Sequence, residues 1–186
     1  MGQLTLSEVM QCLKEEFSTD KWSRESVKEI LESYDHTGGD WKQYCKFDDH
    51  KYYRVVIDIG NNRYNLVILC WNCGQGTPVH DHPTAECMFK VCEGSVCETR
   101  YSFPECGKKV HLEVSEETSL NEGEVGHIND YQGIHRMSND SDTDTCVTLH
   151  CYFPPYKTVN TYDERTGDKT EFIVKCVMAE DSSCTQ

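Results

Sequence analysis

The sequence lacks any apolar run that could cross a membrane. Apolar residues make up 37% and charged residues 27% of its 186 residues, which are the proportions of a soluble globular protein. A membrane-spanning helix needs about 18 or more consecutive apolar residues. The first residues also lack the basic region and the apolar core of a secretory signal peptide. We therefore expect a cytoplasmic protein that has no membrane partner.

The chain also has little positive charge. It contains 18 Lys and Arg residues against 32 Asp and Glu residues, so its net charge at pH 7 is −14. Nucleic acids and anionic lipid surfaces are bound by basic protein surfaces. The composition therefore argues against a nucleic-acid partner. It does not argue against a small-molecule substrate, because such a substrate responds only to the local field of its pocket.

The twelve cysteines do not form the pattern of a structural zinc site. One C-x-x-C pair, Cys70 and Cys73, ends an apolar strand, and no second pair completes the four thiolate ligands that such a site needs. A chain of this size can build a hydrophobic core without disulfides, and no secretion signal is visible. We therefore interpret the cysteines as reduced thiols, and the C-x-x-C pair as packed side chains.

Helical patterns occupy only the first part of the chain. Thr5 and Glu8 have the spacing of a capping box, and apolar residues follow them at helical spacing. A second helix is predicted to start near Ser23, with an apolar stripe of its own. Asp40 is placed to cap a last short helix. Residues 1–46 are thus a predicted helical prefix.

From Tyr52 onward the apolar period changes to two. Many short strands with no helices between them are typical of a sandwich or barrel. Because no repeat or linker is present, we predict one domain over residues 1–186, with a β region at 50–178 and a frayed tail at 179–186. The predicted strands are residues 52–57, 64–71, 79–82, 87–92, 96–103, 110–114, 125–128, 134–137, 146–153 and 172–177.

The pair His80 and His82 is the clearest chemical signal. Side chains one residue apart on a strand point to the same side, because successive side chains alternate between faces. Two convergent neutral imidazoles are typical of a metal site that keeps positions open for substrate. A third ligand would have to come from a distant segment.

The other histidines differ in their surroundings. His135 follows Gly133 in a predicted strand that could reach the pair. His150 shares a strand face with the hydroxyls of Thr148 and Tyr152, which indicates a polar pocket. The remaining ones are expected to be solvated, core or surface residues rather than ligands: His36, His50, His111 and His127.

Two spaced motifs resemble the metal-binding motifs of the cupin superfamily. Further segments agree in order and spacing with the animal-type cysteine dioxygenase family, the thiol dioxygenases of that superfamily, over about residues 41–175. The residues that carry the resemblance are Gly74-x5-His80-x-His82, Gly133-x-His135-x3-Asn139, Tyr52-Tyr53-Arg54, Asn65-Leu66-Val67-Ile68-Leu69-Cys70-Trp71, Ile128-Asn129-Asp130 and Thr148-Leu149-His150-Cys151-Tyr152-x-Pro154-Pro155.

The resemblance implies a fold and a metal. The fold is mainly β, a small cupin-type β-barrel of jelly-roll character with a short helical N-terminal prefix. The implied metal is one Fe(II) per chain, held by His80, His82 and His135. A general cupin often adds a glutamate ligand, and Glu86 is a candidate for it. If Cys87 faces inward, however, strand alternation turns Glu86 outward.

The resemblance also implies roles around the metal. In the family, the positions of Cys87 and Tyr152 are joined by a thioether bond, a cofactor formed from the protein itself. Tyr152 would orient oxygen or substrate, and His150, tethered by Thr148, would position the Tyr152 phenol. The family usually has serine at the position of Thr148, so the hydroxyl group is kept.

The implied activity is oxidation of L-cysteine by O₂ to cysteine sulfinic acid, the first step of cysteine catabolism towards taurine and sulfate. Arg54 shares a strand face with Tyr52, and the two are the expected binding residues for the substrate carboxylate. The partners would be these small molecules only, and we expect a monomer.

Two alternatives stay open. One is a sibling enzyme that oxidises cysteamine or 3-mercaptopropionate, and the other is a cupin that binds metal without turnover. Cysteamine has no carboxylate, and relatives that use mercaptopropionate are expected to carry glutamine at the position of Arg54. Arg54 therefore favours L-cysteine.

Overall fold

Two helices precede all the strands. The computed structural model describes residues 3–105 and 107–179. Helix α1 spans Leu6–Glu16 and begins with the predicted capping box, in which Thr5 and Glu8 bond reciprocally. Helix α2 spans Arg24–Glu32 and so starts next to Ser23, as predicted; the Ser23 side chain caps it. The short helix expected at Asp40 is a 3₁₀ turn over Asp40–Tyr44.

Twelve strands form two mixed-order sheets in the described part of the chain. The first sheet has the order β12-β1-β2-β9-β4-β7, and the second has the order β11-β10-β3-β8-β5-β6, with the numbers following the sequence. The strands are β1 (Tyr53–Asp58), β2 (Asn65–Trp71), β3 (Val79–His80), β4 (Glu86–Glu93), β5 (Ser95–Tyr101), β6 (Val114–Asn121), β7 (Val125–Ile128), β8 (Ile134–Ser138), β9 (Cys146–Phe153), β10 (Thr158–Tyr162), β11 (Lys169–Ile173) and β12 (Val177–Met178).

The two sheets pack face to face around a common apolar core. Alternate residues of β1, β2, β4 and β9 meet side chains from β5, β6 and β8, as expected when each sheet turns one face inward. The fold is therefore the predicted mainly β jelly roll, in the form of a sandwich whose two sheets are separate rather than closed into one barrel. The members of this core include Val67, Leu69, Trp71, Phe89, Val91, Val96, Leu120 and Met137.

The helices cover the other face of the first sheet. The apolar stripes of α1 and α2 pack on the outward-facing side chains of β2, β4 and β9. Burial of each large apolar side chain contributes about 1.5–3 kcal/mol, so this second core binds the helical prefix firmly to the sandwich. It includes Leu13, Phe17, Leu31, Leu66, Ile68, Met88, Leu149 and Phe153.

Several strands differ from the prediction. The segment predicted at 110–114 is not a strand, and β6 begins only at Val114. Almost every residue of β6 is exposed, so it lacks the apolar alternation that marks a half-buried strand. Strand β10 was missed, although two of its residues are buried. The strand predicted at 172–177 was misplaced, because it covers only the last two residues of the fully exposed β11 and the first residue of β12. Of the tail predicted to fray at 179–186, only Ala179 lies within the described residues, and its backbone N–H donates to the Val56 carbonyl oxygen at 2.9 Å.

None of the helices in the described ranges has the length and apolar character needed to span a bilayer. The ten cysteines that the structure describes are free thiols. Cys70 is buried whereas Cys73 is exposed, so the two members of the C-x-x-C pair lie in different environments.

Candidate metal centre

Three buried histidines meet between the two sheets. The potential ligand atoms of His80, His82 and His135 all lie within 4.8 Å of one another. Their ring centroids are 4.7–4.9 Å apart, and each residue is at most 9% exposed. The structure thus brings together the three residues that the sequence singled out.

Strand pairing explains why they meet. His80, at the end of β3, stands directly opposite His135 of β8 in the antiparallel register. His82 lies just past the end of β3, where its backbone N–H donates to the Asp130 carboxylate at 2.7 Å. Asp81 points the other way and accepts hydrogen bonds from β10, among them one from the Asn160 backbone at 2.7 Å. The expected alternation of the His-Asp-His segment is therefore present.

The nitrogens that face the centre lack protein partners. His80 Nδ1 lies 3.0 Å from the Pro78 carbonyl oxygen, and His135 Nδ1 lies 2.7 Å from a Glu98 oxygen. Both His82 ring nitrogens and His135 Nε2 are buried without a hydrogen bond to any described residue. Unsatisfied buried polar atoms are costly, and here they belong to residues whose ligand atoms converge as those of a metal site do.

Burial also sets the protonation of these imidazoles. It lowers the pKa of His80 to about 3, with a further contribution from the nearby His135. Burial likewise holds the pKa of His82 well below its usual value. Because a metal binds only the neutral imidazole, His80 and His82 are already in the ligand form at neutral pH.

Glu98, on β5, is a site residue that the sequence reasoning missed. It is only 1% exposed, and it also accepts two hydrogen bonds from Arg100, at 2.8 and 3.0 Å. Burial alone would raise the Glu98 pKa, but the contacts with His135 and Arg100 outweigh it and lower the pKa. A carboxylate of this kind fixes the orientation of a ligand histidine. The available signal was a glutamate that shares the inward face of a predicted strand with Val96.

A chain of polar side chains on β9 runs towards the histidines. Trp71 Nε1 donates to the Thr148 hydroxyl at 3.0 Å, and the same hydroxyl lies 2.8 Å from His150 Nε2. His150 Nδ1 in turn lies 3.2 Å from the Tyr152 phenol oxygen. The Tyr152 ring stacks along His82, with centroids 6.3 Å apart. Because side chains alternate along β9, Thr148, His150 and Tyr152 lie on one face and form the polar pocket expected around His150.

Cys87 lies beside this chain. It is paired with Tyr152 in the register of β4 and β9, and its Sγ is 3.6 Å from His150 Nδ1. Burial raises the Cys87 pKa, so the free thiol is protonated at neutral pH. The thiol and the phenol ring are thus neighbours on adjacent strands.

Arg54 lies close to the Tyr152 ring. Its guanidinium carbon is 5.3 Å from the ring centroid, and its Nε is buried without a hydrogen bond in the described part of the structure. Tyr52 precedes it by two residues and stacks on Trp71 at 4.8 Å. Arg54 and Tyr152 both line a cavity of about 240 Å³.

Tyr156 lines the same cavity and was also missed. Its ring meets Tyr152 edge to face at 5.1 Å and His82 at 6.1 Å. It lies in the loop between β9 and β10, directly after two prolines, where strand alternation gives no information on side-chain direction. The available signal was an aromatic residue directly after the resemblance segment that contains Tyr152.

Glu86 points away from the histidines, as alternation predicts. Its carboxylate accepts hydrogen bonds from Arg24 at 2.5 Å and from Asn129 at 3.0 Å, and lies 2.6 Å from His127 Nε2. Lys90, on the same face of β4, donates to backbone carbonyls around the end of α2. Both side chains are buried rather than solvated, because α2 covers this face.

Comparison with known proteins agrees with this geometry. The family model described as cysteine dioxygenase type I matches residues 2–165. The chain is 38% identical over 167 residues to cysteine dioxygenase type 1 of Rattus norvegicus, covering 90% of this chain and 83% of the relative. It is 37% identical over 167 residues to the Homo sapiens protein of that name, with the same two shares. For the Danio rerio protein the identity is 36% over 163 residues, which are 88% of this chain and 81% of the relative. The chain belongs to the cysteine dioxygenase type I family.

Proposed function

We propose that the protein is a non-haem Fe(II) thiol dioxygenase that oxidises L-cysteine with O₂ to cysteine sulfinic acid. One observation carries the proposal. Three buried imidazoles converge, two of them with unpartnered buried nitrogens, and the Nε of nearby Arg54 is likewise buried without a partner among the described residues. Membership of the family supports the same activity.

The three histidines suit a divalent metal with open positions. His80, His82 and His135 would hold the ion, and the Glu98 carboxylate would orient His135. When bound, Fe(II) supplies sites for the substrate thiol, the amine and O₂, together with the redox chemistry. Three neutral ligands leave the full charge of the ion uncompensated, and this charge favours an anionic thiolate over a neutral thiol.

Arg54 is proposed to bind the substrate carboxylate. A guanidinium group presents paired donors that match a carboxylate, and the free Nε of Arg54 leaves such a donor available. The arginine lies against the Tyr152 ring, which in turn stacks on His82. A bound amino-acid thiol could therefore reach the histidines with one end and Arg54 with the other.

Tyr152 is proposed to orient the reacting groups through its phenol. His150 and Thr148 hold the position of that phenol, because each is hydrogen-bonded to the next and all three are buried. Burial keeps the Tyr152 pKa well above its usual value, so the phenol keeps its proton. It would then donate a hydrogen bond to an acceptor atom of a substrate beside it.

Cys87 and Tyr152 are proposed to form the thioether cross-link. A carbon–sulfur bond would form between the thiol and the phenol ring, two hydrogen atoms would be lost, and O₂ would be the oxidant. Their pairing on adjacent strands supports the proposal. The intact mass of the reduced, denatured protein should then be lower by two hydrogens, and this difference should be absent in Cys87→Ser.

The activity is tested with protein loaded with Fe(II) without oxygen and then given L-cysteine and O₂. We expect oxygen uptake and sulfinate, identified by mass spectrometry. His135→Ala should lose metal and activity together, whereas His50→Ala, which changes an exposed histidine, should keep both. If the protein binds a full equivalent of iron but forms no sulfinate, the proposed activity is refuted. The protein would then be a cupin that binds metal without catalysis.

The substrate is tested with a panel of thiols. Wild-type protein should prefer L-cysteine to cysteamine and to 3-mercaptopropionate. Arg54→Gln should raise the KM for L-cysteine by roughly tenfold or more, because one charge-assisted contact is lost. A preference for cysteamine, or an unchanged KM in the variant, would assign the enzyme to another thiol.

A further inference from the structure

Tyr156, which is partly buried, has surroundings unlike those of the fully buried tyrosines. Four of them donate their phenol hydroxyl to a carboxylate of the protein, at distances of 2.6–3.2 Å. No carboxylate of a described residue lies within hydrogen-bonding distance of the Tyr156 phenol. The four pairs are Tyr34 with Asp40, Tyr64 with Asp58, Tyr101 with Glu164, and Tyr162 with Asp81.

Arg54 also has no carboxylate partner among the described residues. A chain with 32 acidic residues offers many partners to an arginine, yet none of the described carboxylates forms an ion pair with Arg54. Its Nε is buried and unsatisfied. Buried charges are ordinarily paired. Arg54 and the neighbouring Tyr156 phenol therefore both have room for a carboxylate that the described residues do not supply.

The two residues face one cavity. Arg54, Tyr152 and Tyr156 all line the space of about 240 Å³, and Tyr156 also contacts His82 at 6.1 Å between centroids. The Tyr152 hydroxyl already bonds with His150, and a guanidinium has no acceptor atom. Tyr152 and Arg54 are the hydrogen-bonding neighbours of the Tyr156 phenol, and neither offers the anionic acceptor that those four buried phenols have.

The Tyr156 phenol is a donor at neutral pH. A tyrosine phenol has a usual pKa of about 10 and therefore keeps its proton at this pH. A protonated phenol beside a guanidinium forms a donor pair suited to the two oxygens of a carboxylate.

We propose that Tyr156 is a specificity-determining residue whose hydroxyl donates a hydrogen bond to the substrate carboxylate held by Arg54. This inference rests on the proposed function and extends it: the enzyme selects thiols that carry a carboxylate through two groups rather than through the arginine alone. The two donors come from β1 and from the loop after β9, so the loop takes a direct part in substrate choice.

The test uses Tyr156→Phe, which removes one oxygen atom and keeps the ring. The matched control is Tyr101→Phe, because that phenol bonds Glu164 at 3.2 Å, outside the cavity. Both variants and the wild type are loaded with Fe(II) and titrated calorimetrically without oxygen. The ligands are L-cysteine and 3-mercaptopropionate, which carry a carboxylate, and cysteamine, which does not.

In Tyr156→Phe, the Kd for both carboxylate ligands should rise by roughly tenfold or more, since a hydrogen bond to a charged group is lost. The Kd for cysteamine should stay within about twofold, and Tyr101→Phe should match the wild type for all three. Unchanged carboxylate binding would overturn the inference. Equal weakening of all three ligands would also overturn it, because Tyr156 would then only shape the cavity.

The role of Tyr156 can be tested independently of the proposed oxidation of L-cysteine. Sulfinate formation by the wild type is measured on the same preparations, and the titrations need no turnover. Sulfinate together with carboxylate binding unchanged by Tyr156→Phe would refute the inference alone. Selective loss of carboxylate binding without any sulfinate would support the role of Tyr156 and refute the oxidation.

Discussion

Replacing Glu98 with glutamine should weaken the metal centre through a residue that never contacts the metal. The carboxylate lies 2.7 Å from His135 Nδ1. The amide oxygen of a glutamine can still accept a hydrogen bond from that nitrogen, but the bond is then between neutral groups. Charge-assisted hydrogen bonds contribute about 1.5–3 kcal/mol and neutral ones about 0.5–1.5 kcal/mol. The difference of roughly 1–1.5 kcal/mol corresponds to about a tenfold loss of metal affinity, at the lower end of what such partners usually contribute.

The affinity is measured by anaerobic competition for Fe(II) between the protein and a chelator of known strength. Glu116→Gln is the matched control, because Glu116 is the other carboxylate bonded to Arg100, at 2.9 Å, and its side chain is 56% exposed. Its loss should change the affinity by less than about twofold, since exposed ion pairs contribute little. Equal affinities of Glu98→Gln and wild type, with both folded by circular dichroism, would refute the role assigned to Glu98.

Three further predictions concern stability, each measured by denaturant unfolding. Thr148→Val should lower the free energy of unfolding by about 2–4 kcal/mol, because Trp71 Nε1 and His150 Nε2 both lose their partner, whereas Thr148→Ser should cost about 1 kcal/mol; equal losses would contradict this. The metal-free protein should become less stable as the pH falls from about 6.5 towards about 3, since the His80 pKa is depressed in the folded state and stability is complete only above the unfolded value; a flat profile over that range would contradict it. Lys90→Met should cost about 1–3 kcal/mol by leaving carbonyls around the end of α2 without a donor, and a variant as stable as wild type would refute that account.

Strand alternation predicted much of the centre because it follows from backbone geometry alone. It placed His80 and His82 on one side, and it placed Thr148, His150 and Tyr152 on one face of β9. The family motif then supplied the distant third histidine. Alternation also turned Glu86 away from the centre, which the hydrogen bonds of that carboxylate bear out.

The rest depended on information that alternation does not carry. Tyr156 lies in a loop, where the direction of a side chain depends on tertiary packing. Glu98 shares a face with Val96, but alternation could not say that His135 of the neighbouring strand would stand beside it. The exposed strands β6 and β11 have no apolar period, since neither buries a face.

Strand β4 joins the metal centre to the helical prefix, because both of its faces are buried. Cys87 and Phe89 point towards the polar chain of β9, whereas Glu86 and Lys90 point to α2 and its surroundings. A register slip of one residue would exchange the two sets and would place a carboxylate and an ammonium group next to the three histidines. Glu86 bonds with Arg24, and Lys90 bonds with the end of α2. These contacts oppose such a slip, because the loss of either one would leave a buried charge unpaired. The helices therefore help to keep a thiol, rather than a carboxylate, beside the metal centre.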